Sequence, residues 1–191
     1  AVLDLIRSEP GIPVHPDELD REPFLLGVRN GVVDLRTGEF REARRGDLIT
    51  KQCPVEWHPG SVCPRWEQFV SEVMDGDEEL VDFLQRSLGY TLSGDCRERV
   101  FFVLWGRGRN GKSTLLETVR QVLGDYAVKS PIETFLVKKF EGIPNDVARL
   151  RGARFVYAAE SAEGRRLNEA LVKDLTGREH LSARFLYAEF F

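Results

Sequence analysis

The chain is poor in sulfur, with three cysteines and a single methionine, Met74, among 191 residues. An odd, small number of cysteines in a chain able to bury a core excludes a disulfide-built scaffold and points to a reducing compartment, the cytoplasm. No apolar run approaches the ~20 residues that a membrane helix needs, so neither a spanning segment nor a membrane partner is expected. No charged-then-apolar pattern opens the sequence, so no secretory signal is expected. Internal repeats and low-complexity tracts are missing as well, which excludes a repeat array or a biased linker. Basic residues are not in excess: the net charge is −4 and the pI near 5.5, which taken alone argues against a nucleic-acid binder. Apolar residues at 42% and charged ones at 30% are enough for a core and too apolar for a disordered tail. The length suits one ordinary domain, or one compact domain with a smaller neighbour. With Met74 the only methionine, Ala1 reads as a trimmed start or as the cut end of something longer.

The distribution of charge along the chain alters the expectation about partners. Residues 1–98 hold 11 Lys/Arg and 20 Asp/Glu, a net of −9, whereas residues 99–191 hold 16 and 11, a net of +5. Such asymmetry suggests two parts with different partners.

In the acidic part, Phe24 to Val28, Asn30-Gly31 and Val32 to Leu35 read as a hairpin closed by a tight turn. A second turn, Arg36-Thr37-Gly38-Glu39, precedes a short strand opened by Phe40. Trp66, Phe69, Val70 and Val73 fall at helical spacing, and Leu80, Leu84 and Leu88 mark a second helix expected to stop at Gly89. The acids Asp75, Asp77, Glu78 and Glu79 lie at that helix's start, where its dipole is reason enough for them. Cys53, His58 and Cys63 have zinc-knuckle spacing, but Thr50 stands where a fourth ligand is needed and Pro54, Pro59 and Pro64 stiffen the stretch. They are read as two small apolar residues and a loop histidine.

The basic part has α/β rhythm. Val100 to Trp105 is a continuous apolar run, as expected of a strand buried on both faces. Leu115, Leu116, Val119, Val122 and Leu123 trace a helix face ending at Gly124. Phe155 to Ala159 reads as a second buried strand closed by Glu160; Leu167, Leu171 and Leu175 mark a helix stopping at Gly177; Leu181 to Tyr187 looks extended.

Between the first strand and its helix lies Gly106-Arg107-Gly108-Arg109-Asn110-Gly111-Lys112-Ser113-Thr114, which satisfies the phosphate-loop pattern G-x4-G-K-[ST]. Glycines let backbone N–H groups turn inward around phosphates, and the helix aims its positive end at them. Lys112 is expected to reach the β- and γ-phosphates of ATP and Ser113 to ligate Mg2+. Gly106, Gly108 and Gly111 also spell the dinucleotide fingerprint G-x-G-x-x-G, which asks for an acid closing a strand roughly 20 residues on. Glu133 is the candidate, but Pro131 beside it is out of place in a central strand. A phosphate loop further needs an acid on a neighbouring strand, and Glu160 is the natural choice. Whether it holds the metal, polarises the attacking water, or does both is open.

Five blocks carry a resemblance: LLGVRNGVVDLRTGEF (25–40), CPRWEQFV (63–70), LVDFLQRSLGYTLSGD (80–95), GRGRNGKSTLLETVR (106–120) and LRGARFVYAAESAEGRRLNEALVKDLTG (150–177). Together they resemble the phage and plasmid primase–helicase family, related to the poxvirus primase–helicase, whose motor belongs to helicase superfamily 3 of the AAA+ class. The resemblance implies a small mixed α+β linker domain over residues 1–95 and an α/β P-loop NTPase domain with an AAA+-like parallel sheet over 96–191, incomplete at its C-terminus. It implies Walker A at Gly106 to Ser113 and the Walker B acid at Glu160. Lys173 and Arg184 match the family's basic positions and are candidates for nucleotide or DNA contact, a reading balanced by that of solvated surface charges. At Arg178-Glu179-His180 the sequence departs from the family's Gly-Asp, with Glu179 as the possible substitute acid. The chain stops at Phe191, before the family's sensor asparagine and its arginine finger, and without the primase module. A trans arginine is worth roughly 10³–10⁵ in rate, so the fragment is expected to bind nucleotide better than it hydrolyses it.

The implied function is a ring-forming ATPase, a hexamer in the full protein, that drives single-stranded or forked DNA through a central channel beside a primase module. A small-molecule P-loop kinase is the alternative enzyme, though 105 residues precede Gly106 where such kinases usually begin with the loop's strand. A non-enzymatic adaptor role is the third reading, for residues 1–98.

Overall fold

A computed structural model describes residues 9, 12–138, 145–159 and 165–177. Strands β1 (Leu25–Val28), β2 (Gly31–Asp34) and β3 (Phe40–Arg41) form an antiparallel meander. Leu26 faces Val33 and Gly27 faces Val32 across the first pair, so the hairpin expected from the alternating apolar residues is present. Its turn is displaced by one residue. Arg29 and Asn30 make the connection, and Gly31 already belongs to β2. Gly31 is needed for another reason: a methyl there would lie 2.3 Å from the Arg41 carbonyl oxygen and 2.7 Å from the Phe40 ring. The Asn30 amide, for its part, donates to the Trp57 carbonyl and accepts from the Trp57 N–H, both at 2.9 Å. It continues the bridge between Val28 and Cys53 as a backbone unit would.

Two helices follow, α1 (Pro64–Val73) and α2 (Glu78–Ser93). Proline suits the first position of α1, where its missing N–H costs nothing. Asp77 caps α2, accepting from the N–H groups of Glu79 at 3.0 Å and Leu80 at 3.1 Å, so the acids at this junction serve the helix start. The helix passes through Gly89, where a stop was expected, and ends at Gly94 in the left-handed region at φ +64°. A mid-helix glycine costs about 1 kcal/mol against alanine. Carrying the helix onward brings Leu92 against the core and its carbonyl to the Arg154 guanidinium at 2.8 Å, a cation where the helix dipole favours one.

Helix α3 (Lys112–Leu123) occupies the span its apolar spacing implies, although Val122 is exposed. Then come β4 (Ala127–Lys129), a four-residue helical turn α4 (Asn145–Ala148), β5 (Phe155–Tyr157) and α5 (Glu169–Thr176). β4 and β5 pair in parallel, Val128 opposite Val156. β4 is too short for periodicity to show it. Glu133 lies beyond it in a 3-10 turn over Ile132–Phe135, not at a strand end, which removes the acid that a dinucleotide site requires. α5 is capped by the Asn168 side chain and closed at Gly177, as its leucine spacing implies, but Leu167 precedes the helix and bridges Leu136.

The expected parallel core is seen only in small. Among the described residues the parallel sheet has two strands, and Val100 to Trp105 is neither paired nor buried, with Val103 74% and Trp105 92% exposed. A strand gains burial on both faces only between paired neighbours with helices above and below, and the described residues supply no neighbour for this one. The architecture described is a small mixed α/β arrangement with one antiparallel and one parallel sheet. Leu181 to Tyr187 and Arg178-Glu179-His180 lie outside the described residues.

The core draws on both sides of residue 95. Leu26, Val28, Val33 and Cys53 pack with Leu123, Tyr126, Phe155 and Tyr157. Tyr126, 1% exposed, accepts from the Gly27 N–H at 3.0 Å and donates to the Lys51 carbonyl at 2.9 Å. Burial raises its phenol above the ordinary tyrosine value, keeping the proton it donates. Arg154 lies over the Tyr126 ring at 4.5 Å and donates to the Leu25 carbonyl at 2.7 Å, joining β1, α2 and β5. No helix among the described residues is long and apolar enough to cross a membrane.

Candidate functional site

Residues 106–114 are all described. Residues 106–111 form a turn-rich loop and 112–114 the first turn of α3, with Gly111 as its N-cap at φ +85°. Arg109 also adopts a left-handed conformation, φ +62°, at a cost of roughly 1–2 kcal/mol for a residue with a Cβ. A methyl on Gly106 would lie 2.3 Å from the Asn110 amide nitrogen, while around Gly108 there is open space. The glycines therefore do different work: Gly106 admits the Asn110 side chain, and Gly111 makes the turn into the helix.

Lys112 is the hub of this loop. Its ammonium donates to the Gly106 carbonyl at 2.8 Å, the Arg107 carbonyl at 3.2 Å and the Asn110 side-chain carbonyl at 2.8 Å. An ammonium has three donors, so all are committed to loop oxygens, the kind of acceptor that a phosphate also offers. The first turn of α3 has no side-chain cap, and Ser113 and Thr114 are exposed. The N–H groups of a first helical turn have no partner within the helix and carry its positive end. Arg107 and Arg109 are exposed beside them. The chemistry of this donor set fits an anion, and an exposed hydroxyl at Ser113 fits a hard cation held between protein and phosphate oxygens.

Helix α3 is tied to the parallel sheet by Glu117, which accepts from the Tyr157 hydroxyl and pairs with Arg120 at 2.7 Å and Lys129 at 3.7 Å. The Tyr157 hydrogen bond first, then Arg120, hold its carboxyl below the usual glutamate range. This fixes β5 alongside α3. Glu160, the expected acid beyond that strand, lies outside the described residues, as does Arg184. Lys173 is exposed in the last turn of α5, whose Leu175 carbonyl lies 3.9 Å from the Cys96 sulfur.

The cysteines stand in different environments. Cys53 is buried in the core and burial pushes its thiol up to about 11, whereas Cys63 is exposed at the start of α1. His58 is exposed and pairs with Glu56 at 3.2 Å. Among the described residues no group of three or more His, Cys, Asp or Glu could hold a metal ion.

Sequence reasoning missed the contacts that seat the loop. Gly111 packs against Val73 and Phe69 of α1, and Tyr126 and Arg154 join the two parts. Their only trace in the sequence is one aromatic after a helix-ending glycine and one arginine before an apolar run.

Comparison with known proteins bears on the whole length. Residues 1–75 match the family described as D5 N terminal like. The Acanthamoeba polyphaga mimivirus protein named "Putative helicase L207/L206" is 29% identical over 178 residues, covering 90% of this chain and 18% of the viral protein. "Putative helicase 184R" of Invertebrate iridescent virus 6 is 25% identical over 187 residues, 93% of this chain and 19% of that protein. "Putative primase C962R" of African swine fever virus (strain Badajoz 1971 Vero-adapted) is 28% identical over 179 residues, 88% and 18%. The chain is a distant relative of viral proteins named as helicases and primases. It spans about a fifth of the length of these curated relatives. They belong to large DNA viruses, so the tie to DNA replication comes from viral proteins and not from the phage and plasmid proteins that the sequence blocks resemble.

Proposed function

We propose that this chain carries the nucleotide-binding part of a superfamily 3 DNA helicase, an ATPase that moves single-stranded or forked DNA and works beside a primase module of the same polypeptide. The observation that carries the reading is the Lys112 ammonium, gathered by three loop oxygens at the uncapped start of α3. Alignment of roughly nine-tenths of the chain with viral proteins named helicase or primase supports it.

In this reading residues 1–95 are a helicase-preceding linker and residues 96–191 belong to the ATPase. The loop from Gly106 to Thr114 holds the triphosphate of ATP. Its backbone N–H groups and the first turn of α3 face the phosphates, and Lys112 exchanges its loop oxygens for phosphate oxygens. Arg107 and Arg109 add positive potential at the mouth. Ser113 and Glu160 would hold Mg2+, which would supply charge neutralisation at the phosphates. Glu160 is also the candidate to orient the attacking water. Lys173 and Arg184 are candidates for the DNA backbone, and the +5 charge of residues 99–191 suits phosphate neutralisation, which supplies most non-specific DNA affinity. Assembly into a ring, a hexamer in the full protein, would place these residues along a channel.

Titration with a fluorescent ATP analogue and Mg2+ tests the loop. A hydrogen bond to a charged group is worth about 1.5–3 kcal/mol, so Lys112→Ala is expected to weaken binding roughly 10- to 100-fold. Unchanged affinity in Lys112→Ala refutes the site. The motor reading further expects turnover stimulated by single-stranded DNA, and turnover that ignores DNA but needs a small-molecule acceptor would replace it with a kinase.

A further inference from the structure

The loop is backed by a helix from the acidic part of the chain. A methyl placed on Gly111 would lie 2.4 Å from Val73 Cγ1 and 3.4 Å from the Phe69 ring, so the last loop residue rests directly on α1. That face of α1 is held in place: Phe69 packs on Trp66 at 5.8 Å between ring centres, and Val70 beside it is buried. Beyond Val73 the chain turns through Gly76 at φ +75° into α2, whose C-terminal carbonyl is gripped by Arg154.

We propose that Val73 and Phe69 are positioning residues for nucleotide binding, and that α1 holds the phosphate loop in its binding shape. This rests on the reading of residues 106–113 as a phosphate loop. Gly111 sets the direction in which α3 begins, and hence where the Lys112 ammonium and the first-turn N–H groups point. On one side the loop is drawn together by Lys112; on the other, Gly111 can move only where Val73 and Phe69 allow. The left-handed Arg109 makes the loop costly to hold, so an external wall has something to oppose. A strained conformation persists only where its surroundings over-determine it. Nucleotide affinity in the basic part thereby depends on two apolar side chains of the acidic part, neither of which reaches the ligand.

The test uses the full chain and the same ATP analogue with Mg2+. Loss of about 1.4 kcal/mol of support for the loop is tenfold in affinity, so Val73→Ala and Phe69→Ala are each expected to lower affinity by roughly tenfold. Val73→Ile, which keeps both branches of the wall, is expected to retain more affinity than Val73→Ala. Val33→Ala is the control: it removes core packing in β2 and is expected to lower stability but not affinity. A second measurement needs no nucleotide. Trypsin cuts after Arg107 and Arg109, both exposed, and Val73→Ala is expected to be cut faster there than Val33→Ala, with near-UV circular dichroism confirming that both are folded. If Val73→Ala and Phe69→Ala bind and are cut as wild type while Lys112→Ala loses affinity, the positioning role is wrong and the phosphate loop stands. If Lys112→Ala binds as wild type, the phosphate-loop reading fails and the positioning role falls with it.

Discussion

Replacing Tyr126 by phenylalanine removes one oxygen and leaves the ring that fills the core. That oxygen accepts from the Gly27 N–H at 3.0 Å and donates to the Lys51 carbonyl at 2.9 Å, so the change strands two backbone groups of the acidic part. An unsatisfied buried polar group costs about 1–3 kcal/mol. The Lys51 carbonyl is only half-buried and can turn to water, so the buried Gly27 N–H carries most of the loss, about 2 kcal/mol. For a chain of this size each kcal/mol lowers the melting temperature by ~2–4 °C, so a fall of roughly 4–8 °C is expected. Urea unfolding gives the free energy directly. Trp57 and Trp66 report on the acidic part, while far-ultraviolet circular dichroism follows the helices of both parts. The midpoint is expected to fall with an unchanged slope, and both probes to move together because the core contains residues from both parts. A loss below about 0.5 kcal/mol, the size of an ordinary surface change, would refute the bridging role of the hydroxyl.

Two further outcomes follow from ionisable groups. Asp47 is held below its ordinary value of 3.8 chiefly by its hydrogen bonds to Arg41, at 2.8 and 2.6 Å. A carboxyl depressed on folding contributes stability that is fully present above its unfolded value and is lost as pH falls through its folded value. Asp47→Asn is therefore expected to be less stable than wild type at pH 6–7 and to converge with it as pH falls through the lowered folded value, in chemical unfolding measured across pH; a gap that stays constant into acid would contradict the pairing. Cys53, with its thiol pushed up to about 11, holds about one part in a thousand as thiolate at pH 8, the reactive form. Maleimide labelling mapped by mass spectrometry is expected to reach Cys63 long before Cys53, and equal rates would contradict the burial of Cys53.

What the sequence determined by itself is what depends on near neighbours in the chain. Apolar residues three and four apart placed α1, α3 and α5, and Gly111-Lys112-Ser113 marked the turn into α3, because helix faces and tight loops are built from consecutive residues. The hairpin was legible for the same reason, though not the cause of its glycine: Gly31 answers to the Phe40 ring and the Arg41 backbone, which only the third strand brings over it. An apolar run states that burial is favourable, not what provides it, so Val100 to Trp105 reads as a buried strand and stands exposed where no paired neighbour is described. The end of α2 was decided by Leu92 and Arg154, 62 positions apart, against the local cost of Gly89. Only tertiary structure sets Tyr126 between Gly27 and Lys51 and α1 behind Gly111. Such contacts arise between surfaces distant in sequence, and the shape of each surface exists only once the other has folded against it.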